Sequence, residues 1–286
     1  MGKIIFPNLG IELEGLSKGI TVFGISIAFY GIIIALAMIA ALFIVFREVK
    51  KSGQSEDEYM DIYILAIFFG IIGARLYYVI FNWKEYKDDI VSVFYLRNGG
   101  LAIYGGIILA ALAVIIYCKV KKADIITVVD TGVQGLVLAQ AIGRWGNFFN
   151  REAFGGYCDN LFAMQVDVRD VAISVVNKMS DTIIEIDGHE YLQVHPTFLY
   201  ESAGCLAIFI ILKILNRKKL FKGEIAAGYM IGYGILRFFI EGMRTDQLLL
   251  FNSDIPVSRL VSLVLIIFGT FIFIYNMCKK KTEQSV

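Results

Sequence analysis

The amino-acid sequence predicts an all-α polytopic membrane protein. It would have seven transmembrane helices, N-terminus out and C-terminus in, and a small external head containing a β-hairpin. Three observations carry this. Apolar residues make up 57% of the 286 and mean hydropathy is +0.67, against roughly 45–50% apolar residues in a soluble domain. They fall in blocks of about 17–25, the length that crosses a bilayer core as a helix. Lys and Arg then alternate in density from one connecting segment to the next. With 27 basic against 26 acidic residues the net charge is +1, so no basic surplus exists to neutralise nucleic-acid phosphates.

Taken in order, residues 1–20 form a polar N-terminal segment, too short for a domain and expected to lie along the outer membrane surface. No charged n-region precedes an apolar core with a small-residue cleavage site, so no cleavable signal peptide is read there. Apolar blocks follow at 21–46, 62–81, 101–118 and 125–142, which places four helices within 21–143. The third block carries Gly105-Gly106 and the fifth opens with polar residues, so either is open to a partly re-entrant reading. A 56-residue connection runs from 144 to 199, too long for a plain loop. Its 144–196 portion is expected to form the head, because Asp187-Gly188 separates two alternating runs, a strong hairpin signal. Further blocks at 197–215, 225–240 and 257–278 make helices five to seven, and 279–286 is a cytoplasmic tail.

With the N-terminus outside, the inner segments hold 14 Lys and Arg, among them Arg47, Lys119, Arg217 and Lys279, against 7 in the short outer segments. The positive-inside rule therefore sets the orientation. By this map Cys118 and Cys278 sit near the inner face, Cys205 inside a span and Cys158 alone outside, so a disulfide framework is not expected, and no Cys-x-x-Cys metal spacing occurs.

An ionisable group at mid-bilayer costs roughly 2.5–3.5 kcal/mol on insertion scales, so each needs a reason. Arg75, Asp130, Arg144, Glu201, Arg237, Glu241 and Arg244 lie within or at the ends of the blocks. Arg237, Glu241 and Arg244 share one helical face. They read either as a structural ion pair with a snorkelling arginine or as part of a site. Between 143 and 156, Arg144 offers a planar fork for a phosphate. Asn147, Asn150 and Glu152 supply donors and acceptors suited to a polyol, and Gly155-Gly156 permits close backbone approach. Tyr104 precedes Gly105-Gly106, which suit either anion binding at a helix start or close helix packing. His195, before Pro196, reads as a helix cap or as a proton-handling group. All four groups fall at the outer half of the topology, and together they point to a phospholipid head-group site.

These segments resemble the prolipoprotein diacylglyceryl transferases of bacteria. The resemblance rests on Gly73-Ala74-Arg75-Leu76-Tyr77-Tyr78, Gly99 to Gly106, and Gly143-Arg144-x-Gly146-Asn147-Phe148-x-Asn150-x-Glu152-x-Phe154-Gly155. It continues through His195-Pro196-Thr197-x-x-Tyr200-Glu201 and Arg237-Phe238-x-x-Glu241-x-x-Arg244-x-Asp246. It runs in order from about Tyr30-Gly31 to the seventh block. It implies a plasma-membrane enzyme with its active site towards the outer face. That enzyme would move the diacylglyceryl group of phosphatidylglycerol onto the lipobox cysteine of a preprolipoprotein, forming a thioether and releasing glycerol phosphate. No metal or organic cofactor is implied.

Arg144 and Arg244 are then the candidate catalytic cations, with Arg237 close behind and Glu241 orienting Arg237 or Arg244. Asn147, Asn150, Glu152, Gly155, His195, Tyr200 and Tyr30 are expected to bind substrate, and Asp130 to pair with one of the arginines. Many members of that family carry His where this chain has Tyr104, and that His has been proposed as the base. Tyr, with a free pKa near 10, is expected here to hydrogen-bond substrate. The arginines would drive thiolate formation from a thiol of pKa about 8.5. Without the resemblance, a transporter would predict charges spread through the membrane depth. A non-catalytic lipid-binding protein would predict binding without turnover.

Overall fold

The computed structural model describes residues 2–95, 99–250 and 253–284. It divides into two compact units, Met1–Phe43 with Gly132–Val286, and Ile44–Thr131. Among the described residues six helices are long and apolar enough to cross a membrane. They are α1 (Phe29–Ser52), α2 (Glu56–Phe81), α4 (Ile103–Lys121), α5 (Ile125–Asn150), α7 (Thr197–Arg217) and α9 (Val257–Gln284), the last over Val257–Lys280. A further 20-residue helix, α8 (Glu224–Met243), occupies the sixth apolar block, where Glu224, Arg237 and Glu241 interrupt the apolar run. Short helices α3 (Trp83–Tyr86) and α6 (Ile173–Lys178) lie in connections. The architecture is that of a polytopic membrane protein, mostly helical, with a small sheet.

The first unit holds that sheet. Its five antiparallel strands run in the order β2 (Ile11–Leu16), β1 (Gly2–Phe6), β5 (Met164–Asp167), β7 (His189–Val194) and β6 (Ile183–Ile186). The hairpin read from Asp187-Gly188 is present. Both residues take positive φ, 51° and 74°, the geometry of a two-residue turn that matches strand twist. Alternation then sorts the strands. Ile4, Phe6, Met164, Val166, Leu192 and Val194 turn to one face and bury with Phe148, Phe154, Val176, Met179 and Phe198. The head is thereby seated on the end of α5 through Phe148 and on the start of α7 through Phe198.

Several boundaries depart from the sequence expectation. The all-α description is corrected by the sheet. The N-terminal segment, expected to lie by itself, supplies two of its strands, with Ile4 opposite Val166 across 162 positions of chain. That pairing is non-local, so no periodicity within residues 1–20 announces it. The block at 21–46 is not one helix, because residues 19–28 form a second hairpin, β3 (Gly19–Val22) with β4 (Ile25–Ala28), before α1 begins. Ile20, Val22, Ile25 and Ile27 alternate with small or polar residues there, and Phe23-Gly24 turns with φ of 49° and 76°. A hydropathy block sums these residues without seeing their period of two. Helix α5 continues to Asn150, so Arg144, Asn147 and Asn150 stand on its last turns rather than in a loop. Helix α9 likewise continues beyond residue 278.

In the second unit, α2 and α4 pack through glycine. A Cβ on Gly105 would collide with the Gly73 carbonyl and the Tyr77 side chain, and one on Gly73 with the Gly105 carbonyl. Gly105-Gly106 therefore serves close helix packing, and α4 passes through it unbroken. Arg75 is 6% exposed and spends its donors on backbone. Nε bonds Val93 O at 2.7 Å, Nη2 bonds Ser92 O at 2.7 Å, and Nη1 bonds Gly99 O and Gly100 O at 2.9 and 3.0 Å. It is a structural clamp on Ser92, Val93, Gly99 and Gly100.

Candidate active site

Within the first unit, four chain segments that are far apart in sequence meet at one place. The loop after α5 is stitched to the residue before Pro196 and α7 and to the last residue of α8. Gly155 N donates to His195 O at 2.9 Å, His195 N to Gly156 O at 3.0 Å, and Gly156 N to Met243 O at 3.0 Å. Gly155 is needed because a Cβ there would sit 2.8 Å from His195 Cβ and 2.9 Å from Met243 O. Tyr30, in the first turn of α1, lies over Gly146 of α5, where a Cβ would come within 2.8 Å of its ring.

This stitching assembles a continuous polar chain. Glu201 of α7 is 1% exposed and lies between two guanidiniums. Arg144 Nη2 is 2.8 Å from its Oε1, and Arg237 Nη1 is 3.1 Å from its Oε2. Arg237 also reaches Glu241 Oε2, one helical turn on, at 2.6 Å. Tyr233 OH donates to Glu201 Oε1 at 3.4 Å, with its ring stacked on Tyr229. From Arg144 the chain continues outward. Nη1 donates to Asn147 Oδ1 at 3.4 Å, and Glu152 Oε1 accepts from Asn147 Nδ2 at 3.0 Å and Asn150 Nδ2 at 3.2 Å. Arg244, just past α8, grips Asp246 with both Nε and Nη2 at 2.9 and 2.8 Å.

Two buried carboxylates among three arginines amount to a preorganised electrostatic frame. Removed from water, each charge is costly alone and is held by its neighbours. The planar forks are thereby fixed in direction, which is what recognition of a phosphate requires.

The expected site residues are distributed as follows. Tyr30, Arg144, Asn147, Asn150, Glu152, Gly155, His195, Arg237, Glu241 and Arg244 all belong to the first unit. Glu241 pairs with Arg237, as one of its two expected partners, while Arg244 takes Asp246. Tyr200 engages Asn160 of the head, whose Nδ2 donates to its OH at 3.0 Å, and meets the His195 ring edge-on. His195 is half-buried, its Nδ1 is buried with no hydrogen-bond partner, and burial pushes its pKa below the ordinary 6.5. Asp130 and Tyr104 fall in the second unit, Asp130 buried and Tyr104 on the first turn of α4. The carboxylate shared by Arg144 and Arg237 is Glu201. Glu201 carried no assigned role in the sequence reading, although its cost in an apolar helix was a signal. What the sequence does not display is that two arginines from different helices converge on it.

Comparison with known proteins gives the family. A family model described as prolipoprotein diacylglyceryl transferase matches residues 18–275. Relatives that carry the name phosphatidylglycerol–prolipoprotein diacylglyceryl transferase include proteins from three genera. One from Clostridioides difficile (strain 630) is 40% identical over 265 residues, 93% of this chain and 97% of its own. One from Finegoldia magna is 42% identical over 254 residues, 88% of this chain and 92% of its own. One from Listeria monocytogenes serotype 4a is 42% identical over 255 residues, 89% and 87% of the two chains.

Proposed function

We propose a catalytic reading of the polar frame from one premise: the chain belongs to the prolipoprotein diacylglyceryl transferase family. It is a multi-pass bacterial membrane enzyme that transfers a diacylglyceryl group from phosphatidylglycerol to a prolipoprotein. In our reading the acceptor is the lipobox cysteine. Its thiol loses a proton, and sulfur attacks the glycerol carbon that bears the phosphate. The S–C bond forms as the C–O bond breaks, and glycerol phosphate departs with one more negative charge. Fixed cations aimed at that phosphate stabilise the transition state more than the ground state.

Arg144 and Arg244 are the cations assigned this role, with Arg237 beside them. Glu201 and Glu241 hold Arg144 and Arg237 in direction, and Asp246 holds Arg244. Asn147, Asn150 and Glu152 form the polar wall that takes the glycerol hydroxyls. The single observation that carries the assignment is Glu201 bridging Arg144 and Arg237, because it couples two sequence-distant arginines into one anion-facing frame. Arginine remains protonated and cannot accept the thiol proton. The positive field lowers the thiol pKa, and His195, held neutral by burial and with Nδ1 unengaged, is a second acceptor. Tyr104 is assigned a hydrogen bond to substrate. Tyr104→Phe should keep activity within a few-fold of wild type; near-complete loss would restore a base role for it.

We further read seven spans, with α8 as the sixth, and the site end of the first unit at the outer face. Supporting this, the frame uses the C-terminal ends of α5 and α8 and the N-terminal ends of α1 and α7, as helices of alternating direction require. The test is direct. Protein in phosphatidylglycerol vesicles is incubated with a lipobox peptide, and mass spectrometry looks for a diacylglyceryl-modified cysteine. Wild type should give product and Arg144→Ala none. A folded wild type that gives no product would reject the assignment of the frame to this transfer.

A further inference from the structure

Arg144, Arg237 and Arg244 are each neutralised by a carboxylate, so the frame described above already holds its own counter-charges. A fourth arginine of the first unit differs. Arg259, on the first turn of α9, lies with its guanidinium over the Phe238 ring of α8, Cζ 4.9 Å from the centroid. It also rests against Gly242, where an added Cβ would stand 2.6 Å from Nη2 and 3.3 Å from Cζ. The guanidinium is therefore seated in a cradle made by an aromatic ring and a missing side chain. Its Nε is buried with no hydrogen-bond partner. Among the described residues no carboxylate pairs with it. No acidic residue stands in the first turn of α9, and a cation there opposes the helix dipole. Among the described residues the fixed charge thus has no counter-ion, although burying part of such a group normally demands a partner.

We propose that Arg259 is an anion-binding residue that takes a phosphate group beside Gly242, the α8 residue it rests against and two positions before Arg244 in the chain. This rests on the transferase reading, which supplies two phosphates: the phosphodiester of the lipid and the phosphate of the released glycerol phosphate. A guanidinium seated against Phe238 and Gly242 is held in place while its unpaired N–H groups keep the fork that suits oxyanion recognition. Among the described residues Arg259 shares no hydrogen bond or ion pair with Arg144, Glu201 or Arg237, so it acts in capture of the phosphate and not in holding the frame.

The test uses full-length protein in phosphatidylcholine vesicles with graded phosphatidylglycerol. Arg259→Met keeps an unbranched chain on Phe238 and removes the charge; Arg259→Gln is the second neutral variant and Arg259→Lys the rescue. Both neutral variants should raise KM for phosphatidylglycerol about tenfold, the scale of one charge-assisted contact, with kcat within about twofold. Lys should recover part of the loss. The rise in melting temperature that phosphatidylglycerol gives over phosphatidylcholine alone should shrink in the neutral variants. Inhibition by glycerol phosphate separates the two sources. Weaker inhibition in Arg259→Met assigns the product phosphate as well; unchanged inhibition assigns the lipid alone. Unchanged KM and unchanged lipid-dependent stabilisation in Arg259→Met would overturn the proposal. Absence of product from wild type would instead overturn the transferase reading, and the stabilisation measurement still reports on Arg259.

Discussion

Glu201 is the residue on which the site turns. With 1% of its surface exposed, its charge is tolerable only because Arg144 and Arg237 lie on either side. Glu201→Gln leaves two guanidiniums facing each other across a neutral amide. Breaking a buried pair in this way costs about 3–5 kcal/mol. The variant should melt well below wild type and lose transfer activity, whereas Glu201→Asp should retain part of both. Equal stability of Glu201→Gln and wild type would mean the bridge carries little. His195 makes a prediction in pH. Burial holds its pKa below 6.5, so the unfolded chain binds a proton more readily than the folded one. Its contribution to stability is therefore complete above 6.5 and is lost as pH falls through that value towards the lower folded pKa. Melting temperature measured from pH 7.5 to 5 should fall on the acid side, and His195→Asn should flatten that slope.

At the level of elements, the clearest device is the glycine seam between α2 and α4. Lipid offers helices no hydrophobic gain on association, so close backbone approach supplies the packing. Gly105 meets Gly73 carbonyl-deep, and the contact has no room for a methyl group. Gly105→Leu should destabilise the second unit by about 1–3 kcal/mol or more through overpacking, read as lower thermal stability in detergent. Gly24, which has open space around a built Cβ, makes the opposite case: it is required by its φ of 76° and not by packing. The hairpin at 183–194 was legible because its turn chemistry is local. The strand at 2–6 was not, since Ile4 finds its partner at Val166 only once the head has folded.

For the whole molecule, the orientation argued from basic residues makes a prediction of its own. A cysteine placed at Asp187, in the turn of the head hairpin, should react with a membrane-impermeant maleimide on intact cells. One placed at Lys222, between α7 and α8, should react only after permeabilisation. The reverse pattern would invert the topology and place the arginine frame at the inner face. The labels also test α8 as a span, since Asp187 and Lys222 are separated by α7 alone, while α8 must return the chain to the Arg244 side.

Hydropathy by itself determined the membrane class, because crossing a bilayer sets a minimum length of apolar helix that any reading of composition detects. Turn chemistry determined the 183–194 hairpin, and the cost of intramembrane charge marked Arg144, Glu201, Arg237 and Glu241 as residues needing a reason. Only tertiary structure decided what those reasons are. It made Glu201 the shared counter-ion, gave Asp246 to Arg244, turned Tyr200 towards Asn160 and spent Arg75 on backbone carbonyls. Such pairings are set by where helix faces meet, and helices of similar apolar composition carry no local record of which neighbour each face will find.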